Sequence, residues 1–398
     1  MKKILFISHT LPPYLYPQSI QVGRFLQELK KVYDVHIICD IENTPPDPSL
    51  YPDLFDGIAA DKILKIPFVY QRYRHQIQNR LLPLFFKRPD IYKSWAEKAL
   101  AEATAKFSGV KFDAIVTFSF PLSLNLLGQW LKDHFQCKWI AHQSDPWADN
   151  PFMHYGPLTR RVNRGLERKA FTAADRLVFT NEEAARFYQK KYAAMKDKIT
   201  FIDHSFDPAL YDPAPPAPSD RKTVRYVGSF YAERTAGPLL DALRRLSPQV
   251  RGRLRFEIVG ANLKTRLMIQ KANLPVDLIG FTGRVNYGES LRLMSQSDVL
   301  LVIDAPHGAM NIFFPSKLAD YIGANRPMIG ISPPGPSDRI LKSLGYHCYR
   351  HDQVAELAEA FENIAAGRYM AAFDAGDRRE NYLCAANARK LSEVIDNA

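Results

Sequence analysis

The sequence predicts an α/β protein built of two Rossmann-like units, each a parallel sheet covered by helices. Three observations carry this expectation. The chain has 398 residues, more than one ordinary core organises and enough for two domains of about 150 to 200 residues. Its strand-length apolar runs are continuous rather than alternating, as in strands buried on both faces, and stretches of helical spacing lie between several of them. A break rich in proline, with Pro208, Pro213, Pro215, Pro216 and Pro218 and no periodic pattern, separates two such series. The expected units are 1–205 and 223–381, joined by a linker over 206–222. The closing segment 382–398 is a helix that either caps the second unit or crosses back to complete the first.

In the first series the runs are Ile4 to Ser8, Val35 to Cys39, Ala114 to Phe118, Trp139 to His142, Leu177 to Thr180 and Thr200 to Ile202. The opening run lacks the length and small-residue cleavage site of a signal peptide, so it reads as a first buried strand. Helical spacing appears over Ile20 to Lys30 and Trp95 to Phe107. The second series runs Val224 to Gly228, Phe256 to Gly260, Val276 to Phe281, Val299 to Asp304 and Met328 to Ile331.

Composition narrows the class. With 46% hydrophobic and 24% charged residues the chain resembles soluble globular proteins, and no run of 18 apolar residues is present to span a bilayer. Cys39, Cys137, Cys348 and Cys384 are scattered, without zinc spacing, and read as reduced cytoplasmic thiols. The formal net charge of +11 implies attraction for anions: nucleic acid, anionic lipid or a phosphorylated substrate. Neither series opens with Gly-x-Gly-x-x-Gly, which disfavours a dinucleotide-dependent dehydrogenase. No Asp-x-Asp stands ready to hold a divalent ion, and no cofactor or metal is expected.

The stretch Asn311 to Tyr321 (NIFFPSKLADY) follows a predicted strand and opens a predicted helix. Pro315 and Ser316 suit a helix start, where free amides and the positive end of the dipole receive anions, a diphosphate above all. Lys317 adds a cation. Asp320, one turn on, is placed to accept from ribose hydroxyls. The plainer alternative is a capping Ser316 with Lys317 and Asp320 solvated. Gly228 ends a buried strand and lets a ligand approach the backbone, and Arg234 is the nearest cation in sequence. Gly280 to Val285 (GFTGRV) is a strand end and turn whose amides and carbonyls suit a base edge. All three stretches follow predicted strands, where ligands of open parallel sheets gather.

In this order YVGSFY with Arg234, FEIVG ending at Gly260, GFTGRV, SDVLLVID and FPSKLADYIGANRPMIGI resemble the bacterial glycosyltransferases of family 4, strongly over the C-terminal half and more loosely over the N-terminal half. The resemblance implies a GT-B fold, two Rossmann-like domains with parallel sheets facing across a cleft. It implies that Gly228, Ser229 and Arg234 face a donor diphosphate and that Gly283, Arg284 and Val285 hold the base. Ser316, Lys317 and Leu318 then cradle phosphate, and Asp320 falls where the family usually has a ribose-binding glutamate. Ile312 stands where many members carry a further glutamate. On the acceptor side, His9 to Pro13 (HTLPP) resembles the family's loop, with Gln18 and Ser19 in place of the usual glycines. His142 to Pro151 (HQSDPWADNP) resembles another family block, which makes His142 and Asp145 the polar groups expected near the reacting sugar. Retention of anomeric configuration is implied, with the donor phosphate taking the acceptor proton.

From Lys65 to Lys98 eight basic residues stand against two acids, interleaved with Phe68, Tyr70, Tyr73, Phe85, Phe86, Tyr92 and Trp95. Such a segment suits an anionic membrane surface, and the alternative is a basic helix pair with its aromatics packed inward. No nucleic-acid-binding signature accompanies it. The sequence therefore reads as a cytoplasmic or peripherally attached hexosyltransferase, using a nucleotide-sugar donor and a saccharide or lipid-linked acceptor in surface polysaccharide or glycolipid assembly. The rivals are a nucleotide-sugar 2-epimerase-like isomerase and a non-catalytic sugar-nucleotide-binding subunit.

Overall fold

The structure is a computed structural model of the chain. It describes residues 1–40, 47, 50–68, 89–153, 155–211, 219–228, 230, 234–306, 311–371 and 376–398. Contacts divide it into two units, Met1–His204 with Cys384–Ala398, and Ser205–Leu383.

Unit 1 holds strands β1 (Lys3–Ser8), β2 (Asp34–Asp40), β3 (Ile63–Ile66), β4 (Ala114–Ser119), β5 (Lys138–Gln143), β6 (Arg176–Phe179) and β7 (Ile199–Phe201). They form one parallel sheet in the order β3-β2-β1-β4-β5-β6-β7. The apolar runs are continuous because both faces are covered: Ile4, Leu5, Phe6 and Ile7 are all fully buried. Helices α1 (Pro17–Leu29), α2 (Lys93–Lys106), α3 (Leu124–Phe135), α4 (Pro157–Ala173) and α5 (Glu182–Lys191) cover it. The C-terminal helix Cys384–Asp396 packs on α1, its Leu391 and Ile395 buried. Asn387 donates to the carbonyl of Asp203 at 2.7 Å, and Tyr33 to that of Ser392 at 3.3 Å.

Unit 2 holds β8 (Lys222–Val227), β9 (Leu254–Val259), β10 (Ile279–Thr282), β11 (Val299–Ile303), β12 (Met328–Ile331) and β13 (His347–Tyr349), parallel in the order β10-β9-β8-β11-β12-β13. Its helices are α6 (Gly237–Arg245), α7 (Pro248–Gly252), α8 (Leu263–Gln270), α9 (Tyr287–Ser295), α10 (Ser316–Ala324), α11 (Pro336–Ser343), α12 (Val354–Ala365) and α13 (Arg368–Ala371). Arg225 interrupts the apolar run of β8 and is matched across the sheet: it pairs with Glu257 of β9 at 2.6 Å, and Glu257 accepts from Thr282 of β10. Two parallel-sheet Rossmann-like units of seven and six strands result, the fold class expected from the sequence.

Strands β3 and β13, four and three residues long, escape the sequence because edge strands this short carry no periodic signal. The run expected from Val276 begins later, at Ile279, and Val276 itself is 97% exposed in the preceding turn.

The strand orders matter for function. In each sheet the chain direction of connection reverses once, between β1 and β4 in unit 1 and between β8 and β11 in unit 2. A crevice opens beyond the carboxyl ends of the strands at such a reversal, and loops from both sides converge there.

Candidate functional site

In unit 2 the reversal point gathers the loop after β8, the loop after β11 and the start of α10. Gly228 ends β8 with φ at +138°, a conformation that favours glycine, and its amide donates to the Val259 carbonyl at 2.9 Å. A Cβ there would stand 3.1 Å from the Lys317 ammonium and 3.7 Å from the Tyr226 hydroxyl. Glycine thus leaves the room that the lysine tip occupies. Gly260 ends β9 alongside it, its amide bonded to the carbonyls of Thr282 and Gly283.

Lys317 lies in the first turn of α10 and reaches back over β8. Its Nζ is 3.8 Å from the centroid of the Tyr226 ring, and that ring stacks on Phe230 at 4.6 Å. The ammonium is buried and no hydrogen bond reaches it among the described residues. Burial pushes its pKa well below the usual lysine range, and Arg234 pushes the same way against the opposing pull of Asp304. A cation–π contact recovers only part of what the charge loses on leaving water. A buried lysine tip without a hydrogen-bond partner is costly unless an anion pairs with it.

Arg234 completes the cluster. Its guanidinium lies 3.7 Å from Asp304, at the end of β11, and Asp304 accepts from Ser332 at 2.9 Å. Two cations therefore face a single carboxylate here. The helix start adds to this polarity, because Pro315 at the N-cap offers no side-chain cap. The positive end of α10 thus stays uncapped, with the amides of Ser316 and Lys317 in its first turn. By contrast α5, α8 and α9 are capped by the side chains of Asn181, Asn262 and Asn286. The loop ahead of α10 is braced by Asn311, whose amide donates to the Pro334 carbonyl at 2.7 Å. Tyr321, one turn on, accepts from the Val227 amide at 2.8 Å and fixes α10 against β8.

Two donor-side expectations are corrected. Leu318 is fully buried and its amide closes a turn onto the Pro315 carbonyl at 2.9 Å, so it serves the core and the turn rather than a phosphate. Asp320 faces inward: its carboxylate accepts from Tyr287 at 2.8 Å and from Tyr211 at 3.3 Å. Both bonds fall on Oδ1. Ser316 is the first helical residue rather than the cap. Arg284 and Gly283 are exposed beyond β10, with Val285 half-buried beside them. Ser229 lies outside the described residues. Sequence reasoning gave no role to Tyr226 or Asp304, although an acid closing an all-apolar strand was a readable signal.

Unit 1 presents a second constellation at its own strand ends. His9, after β1, is boxed by the rings of Tyr92, Trp95 and Phe68 at 4.6, 5.0 and 5.8 Å. Asp40 stands 3.5 Å from its Nε2, yet burial prevails and holds the imidazole down at about 4. His142 sits on β5 between Phe118 and Phe25, and burial lowers it to about 4 as well. Burial thus leaves both rings neutral at pH 7. Asp145 is exposed two residues beyond β5.

Three acceptor-side expectations also change. Gln18 bonds the backbone at the end of β4 with both ends of its amide, donating to Phe118 at 2.8 Å and accepting from Phe120 at 3.1 Å. Ser19 is fully buried: its hydroxyl donates to the Tyr14 carbonyl, with that of Tyr16 as the alternative acceptor, and accepts from the Tyr16 amide at 3.1 Å. Both brace the start of α1. Pro13 accepts at its carbonyl from Asp47 at 2.7 Å. Of the basic aromatic segment, 69–88 lies outside the described residues. The flanking Phe68, Tyr92 and Trp95 pack inward on His9, and Trp95 donates to the Ile66 carbonyl at 2.9 Å.

The loop after β5 is held by a residue the sequence did not flag. Glu167 of α4 is fully buried and accepts from the Ala148 amide at 2.9 Å, from Tyr188 at 3.1 Å and from Tyr192 at 2.6 Å, with Lys191 beside it. No helix among the described residues is long and apolar enough to cross a membrane.

No family model matches the chain, and no curated protein does. Solved structures do. Sucrose-phosphate synthase from Thermosynechococcus elongatus aligns over 100% of this chain and 99% of its own, with 16% identity and a TM-score of 0.71. HepE of Anabaena in complex with UDP aligns over 100% of both chains with 15% identity and a TM-score of 0.66. A glycosyltransferase from Rickettsia africae aligns over 100% of this chain and 98% of its own, with 15% identity and a TM-score of 0.66. At such identities the likeness establishes the fold, and the chain has the GT-B architecture of these proteins.

Proposed function

We propose that the chain is a glycosyltransferase that takes a nucleotide diphosphate sugar on unit 2 and passes the sugar to an acceptor bound by unit 1. The observation that carries this reading is the Lys317 ammonium, buried without a hydrogen-bond partner on the Tyr226 ring at the start of α10. A diphosphate is the guest that answers a buried lysine, a neighbouring guanidinium and an uncapped helix start together. The solved structures of similar fold add weight, since HepE has been captured with UDP and with UDP-glucose.

In this reading Lys317, Arg234 and the first-turn amides of α10 stabilise the charge that grows on the diphosphate as the bond to the anomeric carbon breaks. They supply positive charge where other enzymes use a divalent ion. Gly228 and Gly260 let the donor approach the backbone, and the turn at Gly283 to Val285 lies where a base edge would rest. The neutral His9 and His142 orient an acceptor rather than deprotonate it. The acceptor oxygen then bonds the anomeric carbon on the face the diphosphate leaves, its proton passing to the departing phosphate oxygen, so that configuration is retained. A family 4-like hexosyltransferase of polysaccharide or glycolipid assembly is the specific form we favour. The test is incubation with radiolabelled nucleotide sugars and a bacterial membrane extract, with UDP binding measured by calorimetry. Sugar incorporation that Lys317→Met abolishes is the expected result. No incorporation from any donor, together with no UDP binding, would overturn the proposal.

A further inference from the structure

Unit 1 carries a second cationic feature, remote in sequence from the stretches that form the unit 2 site. At the start of α4 a cavity of about 360 Å³ is lined by Tyr155, Pro157, Arg160, Arg161 and Arg164. Three guanidiniums on one wall repel each other unless anions stand among them. Among the described residues Arg164 alone of the three has an acidic partner, Asp149 at 3.0 Å, and Asp149 also serves Lys191 at 2.6 Å. Arg160 and Arg161 are exposed, and no side-chain hydrogen bond or ion pair holds them among the described residues. The one acid of α4, Glu167, is fully buried and committed to the loop after β5. Arg160 and Arg161 thus have no acidic partner among the described residues, although Asp90 and Glu167 act on Tyr155 from behind the wall.

Its remaining features favour the same sign of guest. Gly156 at the N-cap contributes no side chain to cap α4, a helix of 17 residues, so its positive end faces outward. Tyr155 is half-buried, and burial pushes its phenol up to about 12, so that it stays protonated as a donor. Guanidinium forks match the paired oxygens of a phosphate, and a dianion satisfies two of them where a single carboxylate satisfies one.

We propose that this cavity binds a phosphate-bearing group, anchored by Arg160 and Arg161 with Arg164 and Tyr155 at its sides. The site does not depend on the reading of unit 2. A soluble phosphomonoester and the headgroup of an anionic lipid share the required chemistry. The exposed Leu158, 62% accessible beside the cavity, makes the lipid source worth a separate arm.

The experiment uses the full chain and two probes. Glycerol 3-phosphate is titrated calorimetrically, and phosphatidylcholine vesicles with and without phosphatidic acid are co-sedimented with the protein. The double variant Arg160→Ser/Arg161→Ser should weaken binding of at least one probe by more than about tenfold, as expected for loss of charge-assisted hydrogen bonds. Both arginines are exposed, and circular dichroism checks that the variant folds. Arg168→Ser/Lys169→Ser removes as much charge from the same helix outside the cavity and should leave binding within about twofold. Binding of glycerol 3-phosphate identifies a soluble ligand, and binding only of phosphatidic acid vesicles identifies a lipid headgroup. The proposal is overturned if neither probe binds, if the cavity variant binds like the wild type, or if the control variant weakens binding equally.

Discussion

The Lys317 ammonium and the Tyr226 ring stand 3.8 Å apart, with no other polar partner for the lysine among the described residues. The ring face supplies attraction without a hydrogen bond, which leaves the ammonium's donors free for a ligand. This contact exists because Gly228 lacks a Cβ, and because Tyr321 ties α10 to the end of β8 at 2.8 Å.

Lys317→Met should separate stability from function. Removing a buried, unpaired charge while keeping an apolar stem should leave stability unchanged or raise it by about 1–2 kcal/mol. UDP affinity should fall by about a hundredfold, the order expected for losing a charged contact to phosphate. Linkage provides an independent check. With the free lysine held well below its usual pKa and a bound diphosphate raising it again, UDP binding should take up protons in the pH range between the free and the bound value. Calorimetry in buffers of differing ionisation enthalpy reads this uptake. Uptake that persists unchanged in the variant would remove Lys317 from the account.

His9 and His142 should make the protein sensitive to mild acid. Both are neutral in the fold, with pKa values lowered from 6.5 to about 4 by burial. In the unfolded chain they take up protons first as pH falls. Stability is therefore full above about 6.5, drops as pH falls from there to about 4, and changes no further from these groups below that. Each contributes about 2–3 kcal/mol at most over this window. Urea unfolding at pH 7 and pH 4.5 should show the loss, reduced in His142→Gln. Equal acid sensitivity in wild type and variant would show that His142 is already protonated in the fold.

Gly335→Ala should damage the approach to α10 without touching a charged group. Gly335 has φ at +156°, and a Cβ there would meet the Asn311 carbonyl oxygen at 2.4 Å. Backbone cannot yield as a flexible side chain does, so a cost of about 2–4 kcal/mol is expected. Thermal unfolding measures it. A variant as stable as the wild type would mean that the loop over 311–315 shifts freely, and with it the start of α10.

By itself the sequence determined the local order of this protein. Continuous apolar runs encode strands buried on both faces, so the central strands of both sheets were legible, as were the prolines near the division of the chain and the helix beginning after Pro315. Gly228 and Lys317 were singled out because a glycine after a strand lets a ligand approach the backbone and a lysine in a first helical turn adds a charge for phosphate, although an ordinary turn needs such a glycine equally often. Tertiary structure alone decided how these side chains are spent. Asp320 turned to Tyr287 and Tyr211, Gln18 and Ser19 were consumed in bracing α1, and His142 lost its proton affinity between two phenylalanine rings. Residue type states what a group can do in water. Burial and the partners delivered by distant strands, Tyr226 under Lys317 or Glu167 under the loop after β5, decide what it does in the fold, because both the desolvation of a charge and the geometry of a hydrogen bond are set by neighbours the local sequence does not contain.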